Sequence, residues 1–306
     1  METQTQTKLR KKSLTVIEKA IAKISGFGEL YHAFEDKILI SGRSSSALNN
    51  YARKVADVCL HFNKLPKDIS EKELNKYLAD LARQDKSLCL SNFKFTVYGL
   101  RQFYRLSDMN DRIVELPSIK AKKKLPVVLN YQECKSLFKS PVQLKHRVLL
   151  ALIYSAGLRV GEASRLRLSD VDSGRMMIHI RQSKNDKDRY VPLSPFVLKG
   201  IQRYCNTCHP VDYLFNGSKP GTPLSTVGIQ WVVREAVKKC GFTKGISAHT
   251  LRHSYATHLL EFGMDIVSIK ELLGHDRIET TMIYLHVAKS NRINLFSPID
   301  MLYKKI

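Results

Sequence analysis

The alternation of apolar and polar residues predicts helices through the first third of the chain. Three amphipathic segments begin after serines: one near Ser44, one at the capping box Ser70-Glu-Lys-Glu73, and one at Ser91. The second segment runs to about Arg83. Gly99 makes the third segment a less favourable helix, because glycine inside a helix costs about 1 kcal/mol relative to alanine. The inward positions of the first and third recur at helical spacing: Leu48, Tyr51, Val55, Val58 and Phe62, then Phe93, Val97, Leu100 and Tyr104. We expect a small helical bundle over residues 36–116, preceded by an N-terminal arm, residues 1–35, with a weaker helical pattern.

A short basic segment, residues 117–126, separates this bundle from the rest of the chain and is the best domain boundary. Beyond it, residues 127–306 combine further helical patterns with two predicted strands, Met176–Ile180 and Tyr190–Leu193, which the polar turn Ser183–Arg189 joins as a hairpin. The predicted helices are Tyr131–Phe138, Val148–Ser155, Arg159 to about Leu168, Pro195–Cys205, Ser225–Cys240, His249–Phe262, Ile266–Leu273 and Glu279–Ala288. The predicted fold is mainly helical (α+β): a helical bundle, a linker, and a second helical domain with a small antiparallel sheet.

The charge balance indicates a polyanionic partner. The 306 residues hold 50 Lys and Arg against 28 Asp and Glu, a net charge of +22. The excess is spread along the chain, because residues 1–125 hold 24 basic and 14 acidic side chains and residues 126–306 hold 26 and 14. The sequence contains no apolar run long enough to span a bilayer and no signal-peptide pattern. We therefore expect a cytoplasmic protein that binds nucleic acid and not membrane lipid.

The cysteines raise one alternative that the sequence does not favour. Cys205-Asn-Thr-Cys208-His209 matches a haem-attachment pattern, and its cysteine pair could begin a zinc site. Haem attachment normally implies export, and a zinc site needs a second ligand pair, whereas only Cys240 follows. We interpret the segment as a helix end before Pro210, and the six cysteines as reduced thiols.

Three segments in the second domain carry polar residues that a helical core does not explain. They are Gly157-Leu-Arg159-Val-Gly-Glu162, His249-Thr-Leu-Arg252-His253-Ser-Tyr-Ala-Thr-His258, and Leu272-Leu-Gly-His275 followed nine residues later by Tyr284. Each residue alone has an ordinary reading as a cap, a surface group or a packed ring. Together they suit phosphoryl transfer, because two arginines match the oxygens of a phosphodiester, histidines move protons, and tyrosine is a covalent nucleophile once deprotonated.

These three segments resemble, in order and spacing, the signature boxes of the tyrosine recombinase (phage integrase) family, especially its compact Xer-like and integrase-like members. The likeness covers residues from about 126 to 290, including the Thr280-Thr281 pair of the last box. Gly161 stands where many members have serine, and Lys270 replaces a common glutamine. The N-terminal bundle resembles the family's core-binding domain only in pattern and position.

The resemblance implies a role for each residue. Tyr284 would attack the scissile phosphate, form a 3′-phosphotyrosyl bond and release a 5′-hydroxyl. Arg159 and Arg252 would clamp the phosphate, His275 would stabilise the transition state, and His249 would act as general base and acid. The hairpin lysine of the family protonates the leaving 5′-oxygen; Lys184 matches it best, and Lys187 is the competitor. Neither a metal nor ATP is needed, so no cofactor is expected.

Two other functions remain open from the sequence. A type IB topoisomerase uses related chemistry without exchanging strands, and a recombinase-derived factor could bind DNA without cleaving it. A metal-dependent nuclease would need converging carboxylates. The candidates are interleaved with Ser, Lys and Arg in turns, where we expect caps and turn formers: Asp170, Asp172, Asp186 and Asp188.

The resemblance also implies an assembly. Family members act as a tetramer on two DNA sites, clamp the duplex between their two domains and exchange C-terminal segments. Here the tail from Leu295 to Ile306 is apolar enough to dock on a partner subunit, and docking on its own domain is the equally open alternative. The target DNA sequence and the biological role are not encoded in these patterns.

The linker lysines generate the first testable prediction. If Lys122, Lys123 and Lys124 neutralise phosphates, replacing all three by Ala should lower affinity for duplex DNA and flatten its salt dependence by up to about 3 units of the log–log slope, because each phosphate contact contributes about 0.9. Fluorescence anisotropy over a salt series measures both quantities. An unchanged slope would show that these lysines do not contact phosphate.

Overall fold

Helices dominate the computed structural model, which describes residues 14–40, 45–83, 89–107, 109, 125–181 and 188–288. The chain divides into two units, residues 1–122 and 123–306. This division falls within the predicted linker, residues 117–126, most of which lies outside the described residues. In the described part of the chain, no helix has the length and apolar character needed to cross a bilayer.

The first unit is a helical bundle whose core lies between α3 and α5. Its helices are α1 (Val16–Lys23), α2 (Phe27–Ile40), α3 (Ser45–Phe62), α4 (Glu71–Arg83) and α5 (Cys89–Leu106). The predicted capping box at the start of α4 is confirmed: the Ser70 hydroxyl accepts from the Glu73 backbone N–H, and the Glu73 carboxylate accepts from the Ser70 backbone N–H. Close packing explains why α5 contains a glycine in its interior. A Cβ on Gly99 would lie 3.0 Å from the carbonyl oxygen of Tyr51 in α3.

The start predicted for α5 at Ser91 is wrong by two residues. The helix begins at Cys89, so that Ser91 lies inside its first turn. The helical spacing of Phe93 and Val97 continues back to Leu90, which extends the apolar stripe beyond the serine.

The residues predicted to form an N-terminal arm contribute to the bundle as far as they are described. Ala20, Ile24 and Phe27 are buried in one cluster with Val55 and Cys59 of α3. The expected boundary between residues 35 and 36 falls inside α2. A short amphipathic helix such as α1 is marginal alone in water, so its apolar face is covered by the longer helix beside it.

The second unit combines eight helices of the described residues with a small sheet. The helices are α6 (Tyr131–Lys139), α7 (Leu144–Ser155), α8 (Val160–Arg165), α9 (Pro195–Cys208), α10 (Thr226–Lys239), α11 (Ala248–Glu261), α12 (Ile266–Leu273) and α13 (Glu279–Met282), the last continued by a 3-10 helix, Ile283–His286. A helix is present at each predicted position, but α7 begins four residues earlier than predicted, at Leu144, and α8 ends at Arg165 and not near Leu168. The overall class is mainly helical with an antiparallel sheet, as predicted.

The predicted hairpin is present and is extended by a strand that the sequence pattern did not indicate. Strand β2 (Met177–Ile180) pairs antiparallel with β3 (Arg189–Pro192), with Ile178 opposite Val191. The added strand, β1 (Val171–Asp172), is two residues long and pairs with the other edge of β2. Two residues are too few to show an alternating pattern, which explains why β1 was not predicted.

The segment around Cys205 ends a helix, as expected. Helix α9 stops at Cys208, and His209 follows in the left-handed conformation with φ +44°. Its backbone N–H donates to the carbonyl of Cys205. Within the described ranges, no group of three or more His, Cys, Asp or Glu side chains is arranged to hold a metal ion.

Helices α7 and α11 form the centre of the second unit. Beyond the basic residues of its first turn, helix α7 is apolar and buries Leu149, Leu150, Leu152 and Ile153 completely. Helix α11, which packs against it, buries polar as well as apolar side chains, among them Arg252, Ser254, Thr257 and His258. A polar helix in a core needs internal partners. Those partners define the site described below.

Gly157, which ends the turn after α7, generates a prediction about stability. It has φ +58°, and an added Cβ would lie 2.5 Å from Cδ1 of Tyr255. Gly157→Ala therefore combines the left-handed strain, about 1–2 kcal/mol, with displacement of a buried ring, about 1–3 kcal/mol more. Urea unfolding followed by the fluorescence of Trp231, the chain's one tryptophan, measures the loss.

Gly241 is the matched control, because it has φ +67° but no atom within 4 Å of an added Cβ. Gly241→Ala should cost only the conformational strain, about 1–2 kcal/mol. Equal losses in the two variants would show that contact with Tyr255 does not matter.

Candidate active site

Arg159 is placed by the turn that joins α7 to α8. Helix α7 ends at Ser155, Gly157 reverses the chain, and Arg159 stands at the N-cap of α8. Its backbone N–H donates to Oε2 of Glu162 at 2.8 Å, and its Nη1 donates to Oε1 of the same side chain at 2.8 Å. The three-residue spacing of a capping box thus fixes the backbone and the guanidinium of Arg159 together.

Glu162 is the shared anionic partner of the arginines in this unit. Its side chain is 2% exposed and accepts a bidentate pair from Arg189 on β3, Nη1 to Oε1 at 2.9 Å and Nη2 to Oε2 at 2.8 Å. Nη1 of Arg252 lies 3.9 Å from Oε2. Burial opposes the charged form, but the hydrogen bonds and charge of Arg189, together with bonds from Arg159, lower the Glu162 pKa to about 2.

The end of α12 holds the same three arginines a second time. Three successive carbonyls each accept from a different guanidinium: Leu272 from Arg189 Nε at 2.8 Å, Leu273 from Arg252 Nη2 at 2.6 Å, and Gly274 from Arg159 Nη2 at 2.8 Å. The last carbonyls of a helix lack helical partners and carry its negative dipole end, so cations are favoured there.

The close approach of Arg189 to the end of α12 is favoured by Gly274. This residue closes the helix in the left-handed conformation, with φ +60°. An added Cβ would lie 3.1 Å from Cδ and 3.2 Å from Nη1 of Arg189. Glycine is therefore favoured at this position by its left-handed backbone conformation and by the space that it leaves for Arg189.

Arg252 lies at the centre of the cluster. It is 3% exposed, on the second turn of α11, and its Nη1 also donates to the carbonyl of Gly157 at 2.6 Å. Burial, followed by the charge of Arg159, lowers its pKa to about 10, which still leaves it protonated at neutral pH. Because three guanidinium groups surround one carboxylate, the cluster keeps an excess of positive charge that an anion can complement.

Two predicted histidines lie within the field of these arginines. His275 follows α12, and its Nδ1 shares a hydrogen bond of 2.9 Å with the hydroxyl of buried Thr281. Burial, then the charges of Arg252, Arg159 and Arg189, lower the His275 pKa to about 3, so its ring is neutral at pH 7. His249, on the first turn of α11, is exposed; partial burial of its ring and the charges of Arg252 and Arg159 lower its pKa as well.

Tyr284 lies in the 3-10 helix after α13 and is 2% exposed. Its hydroxyl is 3.1 Å from Nδ1 of His253 on α11. Burial raises the Tyr284 pKa, whereas the charges of Arg252 and Arg159 lower it. The phenol is thus held in a dry position where both arginines favour its ionised form.

The structure brings together five of the residues singled out from the sequence: Arg159, His249, Arg252, His275 and Tyr284. Lys184 and its competitor Lys187 lie outside the described residues, as do Lys122, Lys123 and Lys124. The roles of all of these remain predictions.

Three further residues of the site were not assigned a role from the sequence: Glu162, Arg189 and His253. Glu162 could have been found from its position three residues after Arg159, and His253 from its position four residues after His249, on the same helix face. Arg189 gave no such signal, because it stands at the end of a polar turn, 27 residues from Glu162.

The aspartates near the sheet act locally, in agreement with the expectation of caps and turns. Asp170 accepts from the backbone N–H of Arg167 and from Nε of Arg181, and Asp172 accepts from the backbone N–H of Arg175. Asp188 pairs with His179 at 2.9 Å, and Asp186 lies outside the described residues.

Comparison with known proteins supports the same type of chemistry as the geometry of the site. Residues 126–291 match the phage integrase family. A putative integrase/recombinase of Sinorhizobium fredii is 32% identical over 90% of this chain and 94% of its own length. A tyrosine recombinase of Thermosipho africanus is 31% identical over 82% of this chain and 92% of its own. Among solved structures, the XerH site-specific recombinase bound to difH substrate has a TM-score of 0.63 at 24% identity, covering 83% of this chain and 77% of that one, and so is similar in fold.

Glu162 generates a prediction about pH and stability. Its folded pKa of about 2 lies below the ordinary value of 4.5, so its stabilising effect is complete above pH 4.5 and is lost as the pH falls toward 2. Glu162→Gln should lower the free energy of unfolding at pH 7 by about 3–5 kcal/mol, because it leaves the arginines without their anion. At pH 3 the deficit relative to the unmodified chain should be clearly smaller.

Urea unfolding at both pH values, followed by circular dichroism, tests this difference. Glu133→Gln is the control: Glu133 caps α6 from the surface and pairs with Lys244, and glutamine retains the cap, so the change should stay within about 1 kcal/mol. The same deficit for Glu162→Gln at pH 7 and pH 3 would contradict the role of its charge.

Proposed function

This chain belongs to the phage integrase family and is a tyrosine site-specific DNA recombinase, and we propose that it cleaves and rejoins DNA strands through Tyr284. The observation that carries this proposal is the Tyr284 hydroxyl, which is held beside a basic ring nitrogen within the field of Arg159 and Arg252. An ordinary tyrosine has a pKa of about 10, so its ionisation at pH 7 costs about 4 kcal/mol. The arginines supply part of this energy.

The arginine cluster is suited to a scissile phosphodiester. In the attack, negative charge grows on the non-bridging oxygens, and guanidinium groups fixed in advance stabilise that charge without reorganising. Arg159 and Arg252 are fixed in this way by Glu162 and by the carbonyls that end α7 and α12. We assign them to the two sides of the phosphate, where they favour the transition state over the ground state.

The remaining roles follow from the states of the side chains. A neutral imidazole keeps one N–H, so His275 can donate a hydrogen bond to a phosphate oxygen while Thr281 orients its other nitrogen. His249, exposed at the start of α11, serves as a proton-transfer group at the phosphate. Lys184, with Lys187 as the competitor, is proposed to protonate the leaving 5′-oxygen.

The proposed cycle conserves the energy of the broken bond. Tyr284 displaces the 5′-oxygen, and the 3′-phosphotyrosyl linkage is later attacked by the 5′-hydroxyl of a second strand, which releases the tyrosine. One phosphodiester is exchanged for another of similar energy. The chemistry therefore calls for neither ATP nor a metal ion.

The substrate is double-stranded DNA, and the XerH structure shows that relative holding a difH site. We propose that the helical core-binding domain, residues 36–116, binds the core of the site and that the basic linker follows the DNA backbone. We also propose that four subunits act together in the cytoplasm through exchanged C-terminal segments. The net charge of +22 supports duplex binding.

The nucleophile assignment can be tested by trapping. A suicide substrate carries a nick near the cleavage site, so the short 5′-hydroxyl fragment diffuses away and the covalent adduct accumulates. Tyr284→Phe should bind this DNA with unchanged affinity and give no adduct on a denaturing gel, because only the attacking oxygen is removed. The unmodified chain should convert the substrate to adduct.

Tyr255→Phe is the matched control, because the ring on α11 that packs against Gly157 is kept while one hydroxyl is lost. This variant should form adduct at the normal rate. An adduct in Tyr284→Phe would refute the assignment. Strand exchange between two duplexes separates a recombinase from a topoisomerase-like enzyme.

A further inference from the structure

His253 occupies a position in the site that the family resemblance left without a role. It lies on α11 one residue after Arg252, is half-buried, and shares a hydrogen bond of 3.1 Å with the Tyr284 hydroxyl through Nδ1. The ring centroids of His253 and Tyr284 are 5.7 Å apart and inclined by 54°. The contact therefore joins a ring nitrogen to the phenol oxygen at hydrogen-bond distance, as direct proton transfer requires.

His249 stands differently toward the tyrosine. It precedes His253 by one turn of α11, with ring centroids 6.5 Å apart, and it is exposed. Among the described residues, the hydrogen bond of the Tyr284 hydroxyl goes to His253. The two histidines therefore lie in different environments. His249 faces solvent, from which a phosphate would arrive, and His253 faces the buried hydroxyl of Tyr284.

The surroundings of His253 keep its ring neutral at pH 7. Burial first, then the neighbouring His249 and Arg252, lower its pKa. The other titratable groups in contact or electrostatic range are Tyr284 on the 3-10 helix and His275 after α12. A neutral imidazole that accepts at Nδ1 carries its proton on Nε2, so Nδ1 is free to take the phenol proton.

We propose that His253, and not His249, is the base that accepts the proton of Tyr284 during strand cleavage. As the tyrosine oxygen forms its bond to phosphorus, the phenol proton moves to Nδ1 of His253, and the bond from phosphorus to the 5′-oxygen breaks. That oxygen takes a proton from the general acid. In the rejoining step the 5′-hydroxyl attacks, the tyrosine oxygen leaves, and it recovers the proton from His253. The proposal rests on Tyr284 being the nucleophile.

The direct test compares two histidine variants in single-turnover cleavage of the suicide substrate. His253→Asn keeps an acceptor atom near the position of Nδ1 but has no basicity. Adduct formation at pH 7 should fall by about 10²-fold or more, with DNA affinity unchanged. The fall in rate on the acid side of the pH profile that reflects His253 should disappear, and the remaining rate should rise with pH as the tyrosine ionises without help.

A more acidic nucleophile distinguishes a base from a merely structural neighbour. Fluorination lowers the pKa of a phenol, so difluorotyrosine at position 284 needs less help to lose its proton. It should restore most of the rate in His253→Asn and little in His249→Asn. His209→Asn is the control for a histidine change elsewhere: His209 is exposed in the left-handed conformation that asparagine tolerates, and its rate should be normal.

A second measurement does not depend on any variant folding. In the unmodified chain with ¹⁵N-labelled histidine, the resonance pair of His253 should show an unprotonated Nδ1 and a protonated Nε2 at pH 7. A protonated Nδ1 would overturn the proposal.

The remaining outcomes distinguish the role of His253 as the base from the role of Tyr284 as the nucleophile. A near-normal rate in His253→Asn, an unchanged pH profile, or no rescue by the fluorinated tyrosine would each refute His253 as the base while leaving Tyr284 as the nucleophile. An adduct formed by Tyr284→Phe would refute the nucleophile itself.

Discussion

The catalytic unit depends on one buried carboxylate. Glu162 holds Arg159 and Arg189 by direct hydrogen bonds and lies 3.9 Å from Arg252, and its own side chain is 2% exposed. Three guanidinium groups so close together repel one another unless an anion lies between them. Removing one partner of such a buried ion cluster typically costs about 3–5 kcal/mol, because the charges left behind remain unsolvated. The carboxylate thus allows an arginine cluster to exist in a core, and its excess positive charge is available for substrate.

Backbone carbonyls at the ends of α7 and α12 provide further hydrogen bonds that hold the arginines in place. The carbonyls of Leu272, Leu273 and Gly274 accept from the three arginines, and the carbonyl of Gly157 accepts from Arg252. These are backbone groups that have no partner within their own helices. Their use costs no additional acidic side chains, so the guanidinium groups are fixed without cancelling the positive charge. The two glycines that close α7 and α12 take left-handed conformations, and an added Cβ would collide with Tyr255 at Gly157 and lie only 3.1 Å from Arg189 at Gly274.

The sequence predicted the elements and the boxes better than the contacts between them. Helical periodicity and caps located the catalytic helices, and residue type with order identified Arg159, Arg252 and Tyr284 as parts of one site. The partners of these residues are separated along the chain: 115 residues between Arg159 and Gly274, and 31 between His253 and Tyr284. No periodic pattern encodes a pairing at such a distance. The same reason explains why the N-terminal arm was not predicted to be part of the bundle. Its apolar positions are visible in the sequence, but the surface of α3 that covers them is not.

Burial and the arginines have opposite effects on the pKa of Tyr284, and this opposition gives a reason for the proposed base beside it. In the free protein, Arg252 and Arg159 partly offset the effect of burial on the phenol. A phosphodiester bound between these arginines brings negative charge, which weakens their support for the phenolate. The same negative charge raises the basicity of a nearby histidine by the same mechanism. A tyrosine activated by arginines alone would therefore become less acidic as its substrate arrives, whereas a tyrosine hydrogen-bonded to His253 gains a stronger proton acceptor at that moment. In the proposed mechanism, coupling Tyr284 to a neutral imidazole therefore makes activation of the nucleophile depend on the presence of the phosphate that it would attack.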